Sequence, residues 1–150
     1  IIKCIGLHIE ETFSKGLRMS KVNSIMLVDD SKATNFFNKT IIGKLNICDS
    51  IEVCEDGKEA LQFIKENGTP DLIFLDINMP LMNGWEFMDE LLRQKEQGYN
   101  IVLMIGTELS EAHKEDLKKY PFIKGQSPKM LTTHFVCELV QELFELSTCK

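Results

Sequence analysis

The stretch 25-IMLVDD-30 decides the fold, because four apolar residues lead directly into two acids. A short apolar run of this kind is typical of a strand that is buried on both faces of a parallel sheet. Over residues 31–44 the apolar residues then recur at helical spacing, at Ala33, Phe36, Phe37, Ile41 and Ile42. The chain therefore begins with a strand followed by a helix, which is the unit from which open α/β sheets are built.

The same alternation of strand and helix continues along the chain. Further strands are predicted at residues 49–54, 71–75, 101–105 and 122–127. Helices are predicted after them, at residues 56–67, 84–97, 110–120 and 131–146. Five strands alternating with five helices predict a doubly wound α/β domain with a parallel sheet of order 2-1-3-4-5, a flavodoxin-like fold.

Local signals mark several of the predicted helix ends. Asp56 and Glu59 have the spacing of a capping box, and Asn67 with Gly68 predicts the end of that helix. Ser110 is predicted to cap the fourth helix.

The chain is predicted to form one domain, since 150 residues is close to the usual domain size. Residues 1–20 belong to none of the patterns above, so we expect an N-terminal extension of unknown structure. Met19 is a plausible alternative start. The domain is then expected over residues 21–150, and because few residues follow the last predicted helix, no effector domain is expected after it.

Charge argues against a nucleic-acid partner. The chain carries 17 Lys and Arg against 23 Asp and Glu, a net charge of -6, which repels a phosphate backbone. Lys114, Lys118 and Lys119 are interleaved with acids, which is typical of a solvated helix face and not of a basic patch.

Cysteine usage and hydropathy predict a cytoplasmic protein that does not enter a membrane. The five cysteines are an odd number and none are spaced as C-x-x-C, which favours reduced thiols over a disulfide framework. The apolar runs are far shorter than the roughly 20 residues that a membrane span requires. The apolar residues 1–9 lack a cleavage site of small residues, so a signal peptide is not expected.

Polar residues follow the predicted strands at their carboxyl ends, where open α/β sheets bind ligands. Asp29 and Asp30 follow the first strand, Asp76 the third, Thr107 the fourth, and Lys129 the fifth. In the order 2-1-3-4-5 the first and third strands are neighbours, so three carboxylates should converge. The carboxylates of such a cluster repel one another unless a cation joins them or some are protonated. Oxygen ligands without His or Cys favour Mg²⁺ or Mn²⁺.

These residues carry a resemblance to a known family. The segments 28-VDDS-31 and 75-LDINMPLMNG-84, taken with Thr107 and Lys129, resemble the receiver domain of two-component response regulators. The resemblance covers about residues 22–146. It implies a domain that accepts a phosphoryl group from a phosphohistidine of a histidine kinase or a phosphotransfer protein.

The resemblance also assigns roles residue by residue. Asp76 corresponds to the phosphoacceptor, Thr107 to the hydroxyl that bonds the phosphoryl group, and Lys129 to the lysine that pairs with it. A Mg²⁺ site is implied at Asp29, Asp30, Asp76 and the backbone carbonyl of Asn78. Pro80 and Gly84 are expected to shape the turn beside Asp76.

The implied output is a change in protein–protein contact and not catalytic turnover. The expected activity is self-catalysed phosphoryl transfer to Asp76, followed by slow autodephosphorylation. The resemblance places the contact surface for a downstream protein target on the fourth helix, the fifth strand and the fifth helix.

Three positions depart from the family pattern. Met130 stands where the family usually has Pro, often in a cis bond; a cis bond here would cost about 2.5–4 kcal/mol, so a trans peptide is predicted. Gln126 stands where an aromatic switch residue is common, and Glu108 where a small residue is common. Lys124 is a rival to Lys129, although the 22-residue separation of Thr107 from Lys129 favours the latter.

These departures keep an alternative open, in which the chain is a receiver-like interaction module that is no longer phosphorylated. A third hypothesis, a Mg²⁺ phosphatase with an aspartate nucleophile, would need the nucleophile after the first strand and an acid two residues later. Ser31 and Lys32 follow the acid pair there, which argues against it.

Overall fold

Five parallel strands form one sheet in the computed structural model, which describes residues 22–94 and 98–144. The strands are β1 (Val22–Val28), β2 (Cys48–Cys54), β3 (Leu72–Asp76), β4 (Ile101–Met104) and β5 (Ile123–Ser127). Their order is β2-β1-β3-β4-β5, which confirms the predicted fold. Because β1 pairs with both β2 and β3, the strand order reverses at β1, and the carboxyl ends of β1 and β3 lie side by side.

Five helices connect and follow these strands: α1 (Lys32–Leu45), α2 (Gly57–Asn67), α3 (Gly84–Arg93), α4 (Glu111–Asp116, continued by a 3₁₀ turn at Leu117–Lys119) and α5 (Thr133–Phe144). The third helix ends before the predicted residue 97, and the last begins two residues after residue 131. The predicted extension at residues 1–20, residues 95–97 and residues 145–150 lie outside the described part of the chain. Among the described helices, none has both the length and the apolar character to cross a bilayer.

The two faces of the sheet carry separate halves of the core. Met26 and Val28 of β1 pack with α2 and α3 on one face, whereas Ile25 and Leu27 pack with α1 and α5 on the other. Every residue of β3 is buried, because this central strand is covered on both faces. Burial on both faces explains why apolar runs, and not alternation, mark the central strands in the sequence.

The buried face of α1 is not its most apolar face. Burial falls on Asn35, Asn38 and Ile42, while Ala33 is exposed and the Phe36 side chain is 76% exposed. Helical spacing of apolar residues does not mark this face, because the asparagine side chains on it donate to backbone carbonyls of neighbouring loops. The donor and the acceptor of the Asn38 amide are both used, which allows it to be buried in place of an apolar group, whereas Asn35 Oδ1 has no partner among the described residues.

The capping box predicted at Asp56 and Glu59 is half formed, with Asp56 as the N-cap of α2. Asp56 accepts from the Glu59 amide at 2.9 Å, but the Glu59 carboxylate accepts from the Glu55 amide at 2.6 Å and not from the cap residue. The complete capping box lies at the start of α3, where Asn83 and Glu86 bond each other's backbone amides. The N-x-x-E spacing was visible in the sequence and fixes the start of the helix that follows β3.

We predict that Leu81→Asn stabilises the protein by about 0.5–1.5 kcal/mol. Leu81 has a φ of +66° and a side chain that is 79% exposed, so it adopts the left-handed conformation without gaining burial. That conformation costs most L-residues roughly 1–2 kcal/mol, whereas Asn tolerates it. Thermal or urea unfolding measures the difference. The control is Leu81→Ala, which keeps the backbone cost and should change stability little; equal stability of the two variants would contradict this account.

Candidate functional site

Three carboxylates converge at the carboxyl ends of β1 and β3. Oxygen atoms of Asp29, Asp30 and Asp76 all lie within 4.8 Å of one another. Asp29 is 0% exposed and Asp76 is 1% exposed, whereas Asp30 is exposed. The juxtaposition follows from the parallel register, in which Val28 lies opposite Leu75.

Backbone amides orient the two buried carboxylates. The Ser31 amide donates to Asp29 Oδ1 at 2.8 Å, and the Asn78 amide donates to Asp76 Oδ1 at 3.2 Å. The Asn35 side chain donates to the Asp29 backbone carbonyl at 2.7 Å, which ties α1 to the end of β1. The second oxygen of each carboxylate takes part in none of these bonds.

One buried oxygen in this cluster has no hydrogen-bond donor. Asp29 Oδ2 is inaccessible to solvent and accepts no hydrogen bond from any described residue. A buried anionic oxygen without a donor is unfavourable unless a cation lies next to it. The three carboxylates with this unsatisfied oxygen therefore fit a hard divalent cation, for which oxygen ligands are preferred.

Lys129 supplies a positive charge to the two buried carboxylates. Its Nζ lies 2.9 Å from Asp76 Oδ2 and 4.0 Å from Asp29 Oδ2. The peptide between Lys129 and Met130 is trans, as predicted, and does not prevent this contact. The rival Lys124 is exposed on β5 and makes no ion pair among the described residues.

The cluster shifts the pKa of both kinds of group. Burial, together with the charges of Asp76 and Asp30, raises the pKa of Asp29 above its ordinary value, against the opposing effects of the Ser31 amide and Lys129. Burial lowers the pKa of Lys129, but its hydrogen bond to Asp76 and the nearby negative charges outweigh this and raise it overall. Lys129 is therefore charged throughout the physiological range.

Thr107 and its neighbour lie at the same end of the sheet but outside these contacts. Thr107 and Glu108 are exposed in the segment that follows β4, and no hydrogen bond joins the Thr107 hydroxyl to a described residue. The preceding residue, Gly106, lies next to the stem of Lys129, because a Cβ there would be 3.9 Å from Lys129 Cγ. Thr107 thus directly follows a residue that lies next to Lys129, but no hydrogen bond joins its hydroxyl to the lysine or to the three carboxylates.

Gly84 allows the start of α3 to approach the end of β3. Its amide donates to the Ile77 carbonyl at 2.9 Å. A Cβ at this position would lie 2.8 Å from the Asp76 carbonyl oxygen and 2.8 Å from Ile77 Cα. Because both neighbours are backbone atoms, any side chain here would displace the segment that carries Asp76.

Sequence reasoning missed Asn38, which lies close to this site. Asn38 is fully buried on α1 and bonds the backbone on either side of Met130. The signal in the sequence was a pair of asparagines three residues apart, Asn35 and Asn38, within a helix that also carries other polar residues such as Lys39 and Thr40. Such a pattern does not distinguish a solvent-exposed face from a buried polar contact.

The chain is similar to several known proteins in sequence and in fold. The family described as response regulator receiver domain matches residues 25–120. A protein-glutamate methylesterase/protein-glutamine glutaminase from Burkholderia thailandensis is 34% identical over 91 residues, which cover 61% of this chain and 24% of that protein. Response regulator Rcp1 from Synechocystis is 30% identical over 98 residues, which cover 61% of this chain and 64% of Rcp1. A crystal structure of a two-component response regulator from Cytophaga hutchinsonii superposes with a TM-score of 0.72 at 28% identity, covering 83% of this chain and 98% of that one.

Asp29→Asn should raise the melting temperature in EDTA, with a gain that grows from acid to neutral pH. A carboxyl whose pKa is raised by folding binds its proton more tightly in the folded state. The favourable contribution of the Asp29 carboxyl to the free energy of unfolding is therefore present at low pH. It is lost as the pH rises from 3.8, the ordinary pKa of an aspartate, through the raised pKa of Asp29. Asn keeps the acceptor for the Ser31 amide and removes the buried charge.

Differential scanning fluorimetry across this pH range, with and without Mg²⁺, measures both effects. Mg²⁺ should stabilise the parent more than the variant. Asp30→Asn is the control, and because Asp30 is exposed its gain in EDTA should be smaller. If the melting temperatures of the parent and of Asp29→Asn change identically with pH, the buried charge of Asp29 does not destabilise the folded protein.

Proposed function

This chain belongs to the response regulator receiver family, and we propose that it accepts a phosphoryl group on Asp76 from a phosphohistidine of a histidine kinase or phosphotransfer protein. The observation that carries the proposal is the set of charges around Asp76. Its buried carboxylate lies beside two other acids, which can hold a cation with it, and its Oδ2 is 2.9 Å from the Lys129 ammonium. This is the arrangement that an anionic nucleophile needs when it attacks an anionic phosphoryl group.

In the proposed reaction, a carboxylate oxygen of Asp76 forms a bond to phosphorus as the nitrogen–phosphorus bond of the donor breaks. The electron pair of that bond returns to the imidazole nitrogen, which is then protonated. The Asn78 amide holds one Asp76 oxygen, and the Lys129 ammonium holds the other and offsets the charge of the cluster. Positioning and charge compensation are most of what phosphoryl transfer requires.

Asp29, Asp30, Asp76 and the Asn78 carbonyl are proposed to hold Mg²⁺. The support is the carboxylate cluster together with the Asp29 oxygen that has no donor. When bound there, Mg²⁺ would supply positive charge that offsets the charges of the carboxylates and of an incoming phosphoryl group.

The product is an acyl phosphate, which we propose is a signal and not a step of catalytic turnover. Water would hydrolyse it slowly and regenerate Asp76. The methylesterase relative is matched over 24% of its length, so its esterase activity is not assigned to this chain.

We propose that Thr107 and Lys129 convert phosphorylation into a change of surface. The Thr107 hydroxyl is exposed at the sheet end where the phosphoryl group would form, so it can turn toward that group as a hydrogen-bond donor. Such a movement would carry the segment before α4 with it. The face of α4, β5 and α5 is then the proposed contact surface for a downstream protein target.

A second candidate is an interaction module that is not phosphorylated. Exposed Glu108 beside Thr107 favours it, because a negative charge there repels a phosphodonor. The contact between Lys129 and Asp76 favours phosphorylation, since Met130 does not move the lysine away. For the compartment we propose the cytoplasm, where buried thiols such as Cys54 and Cys137 stay reduced.

Asp76→Asn should abolish labelling by acetyl phosphate in the presence of Mg²⁺. The variant keeps the size of the side chain and its acceptor for the Asn78 amide but removes the nucleophile. Phosphate incorporation, hydroxylamine sensitivity and mass spectrometry of peptides identify the site. Asp49→Asn, an exposed acid on β2, is the matched control and should label like the parent. Undiminished labelling of Asp76→Asn would show that the acceptor is another residue.

Lys129→Ala should lower the stability of the metal-free protein by about 1–2 kcal/mol and weaken the response to phosphorylation. The variant loses a charge-assisted hydrogen bond to a buried carboxylate. The stabilisation from this bond is reduced by solvent screening, because the lysine side chain is 35% exposed. Trp85, the single tryptophan, stacks on His113 of α4 with ring centroids 5.1 Å apart, so its fluorescence reports movement of that helix. The fluorescence change on phosphorylation should be much smaller in the variant.

The control for this change is Lys124→Ala, which removes an exposed lysine and should behave like the parent in both measurements. A full fluorescence response in Lys129→Ala would separate the lysine from the switch.

A further inference from the structure

The side chain of Asn38 is bonded at both ends to the segment that carries Lys129. Its Nδ2 donates to the Lys129 carbonyl at 2.8 Å, and its Oδ1 accepts from the Leu131 amide at 2.9 Å. The side chain is fully buried, and Nδ2 also lies 3.6 Å from Met104 Sδ at the end of β4. Both the donor and the acceptor of the amide are therefore used, which fixes its orientation.

We propose that Asn38 is a positioning residue for Lys129, holding the backbone on both sides of Met130 so that the ammonium reaches Asp76. The part of this inference that concerns switching rests on the proposed function. The part that concerns the contact between Lys129 and Asp76 does not.

The segment needs such a support because it lies outside regular structure. The strand β5 ends at Ser127 and α5 begins at Thr133, so residues 128–132 have no ladder or helix to fix them. Pro128 has no amide to donate, and the Met130 side chain is half exposed. Within this segment Leu131 is buried and Thr132 accepts from amides at the start of α5, while the two bonds from Asn38 hold the backbone on either side of Met130.

Few other side chains could perform this role. The two backbone groups are a carbonyl and an amide on either side of one residue, so the partner must present a donor and an acceptor about one amide width apart. Asp would place an acceptor against the Lys129 carbonyl, and Leu would fill the space but leave both groups buried without partners. Small displacements of a positioned group have large effects at a reacting centre.

A simple structural role would also explain a buried, satisfied asparagine, so the experiment must separate the two. The variant is Asn38→Leu, which has a similar volume and forms neither bond. The control is Ile42→Val, a buried residue one turn further along α1 that packs in the core and has no bond to residues 129–131. Each is made alone and combined with Lys129→Ala.

The first measurement is thermal unfolding in EDTA, which does not depend on phosphorylation. If Asn38 positions the lysine, the contact with Asp76 is already lost in Asn38→Leu. The drop in melting temperature caused by Lys129→Ala should then be much smaller in the Asn38→Leu background than in the parent or in Ile42→Val. An equal drop in all three backgrounds would overturn the proposal and leave Asn38 as a structural residue.

The second measurement is the change in Trp85 fluorescence on phosphorylation by acetyl phosphate. Asn38→Leu should lose most of this change, as Lys129→Ala does, and the double variant should lose no more than either. Ile42→Val should keep it. A full response in Asn38→Leu would count against the proposal. If the parent is not labelled at all, the proposed function fails, whereas the unfolding comparison still tests Asn38.

If Asn38→Leu does not fold, Asn38→Ser replaces it in both measurements. Ser is smaller, can pair with only one of the two backbone groups and leaves room for water to satisfy the other. The same comparison with Lys129→Ala then applies, and the same equal drop in melting temperature would overturn the inference.

Discussion

Confinement of like charges is the constraint on which the functional end of this protein depends. Asp29 and Asp76 are placed together because β1 and β3 are parallel neighbours and each ends in an acid. The sheet that brings them together also removes them from water, so their repulsion is not screened. The Lys129 ammonium offsets part of this charge, and the unsatisfied Asp29 oxygen shows that the compensation is incomplete. Binding of a positively charged group at this site would relieve an unfavourable interaction that the fold imposes.

The surrounding backbone fixes these groups through several independent contacts. Gly84 lets the start of α3 lie against the Asp76 carbonyl, and the capping box of Asn83 and Glu86 begins the helix at that point. On the other face of the sheet, Asn35 bonds the Asp29 carbonyl and Asn38 bonds the segment of Lys129. The helix α1 thus contacts both the acid end and the lysine end of the site. This explains why polar residues occupy its inner face, where apolar packing alone would favour larger hydrophobic side chains.

The departures from the family pattern affect different parts of the molecule. Met130 leaves Lys129 in contact with Asp76: the peptide bond between Lys129 and Met130 is trans, and Lys129 Nζ lies 2.9 Å from Asp76 Oδ2. Gln126 is exposed on β5, at the position where the family commonly has its aromatic switch residue. The chain therefore has no aromatic side chain at this position. Aromatic contacts instead join α3 to α4 and to the segment before β5, where Trp85 stacks on His113 and lies near Tyr120.

The sequence by itself determined the fold and the members of the acidic cluster. Apolar runs that end in acids, such as residues 25–30, identify central parallel strands. A strand that is buried on both faces has apolar residues at successive positions and does not alternate between apolar and polar residues. Strand order then follows from a small set of permitted topologies, and it places Asp29, Asp30 and Asp76 together. The family resemblance pointed to Lys129 on its spacing from Thr107.

Only the tertiary structure decided how the side chains are used. Phe36 belongs to an apolar pattern but is exposed, while Asn38 is polar and buried, because the bonds that satisfy its amide come from a segment 91 residues away in the chain. The same holds for the contact of Lys129 with Asp76, which joins residues 53 positions apart. Helical spacing and hydropathy describe a residue and its near neighbours. The partners of Asn38 and Lys129 are distant in the sequence, and these contacts form only when the chain has folded.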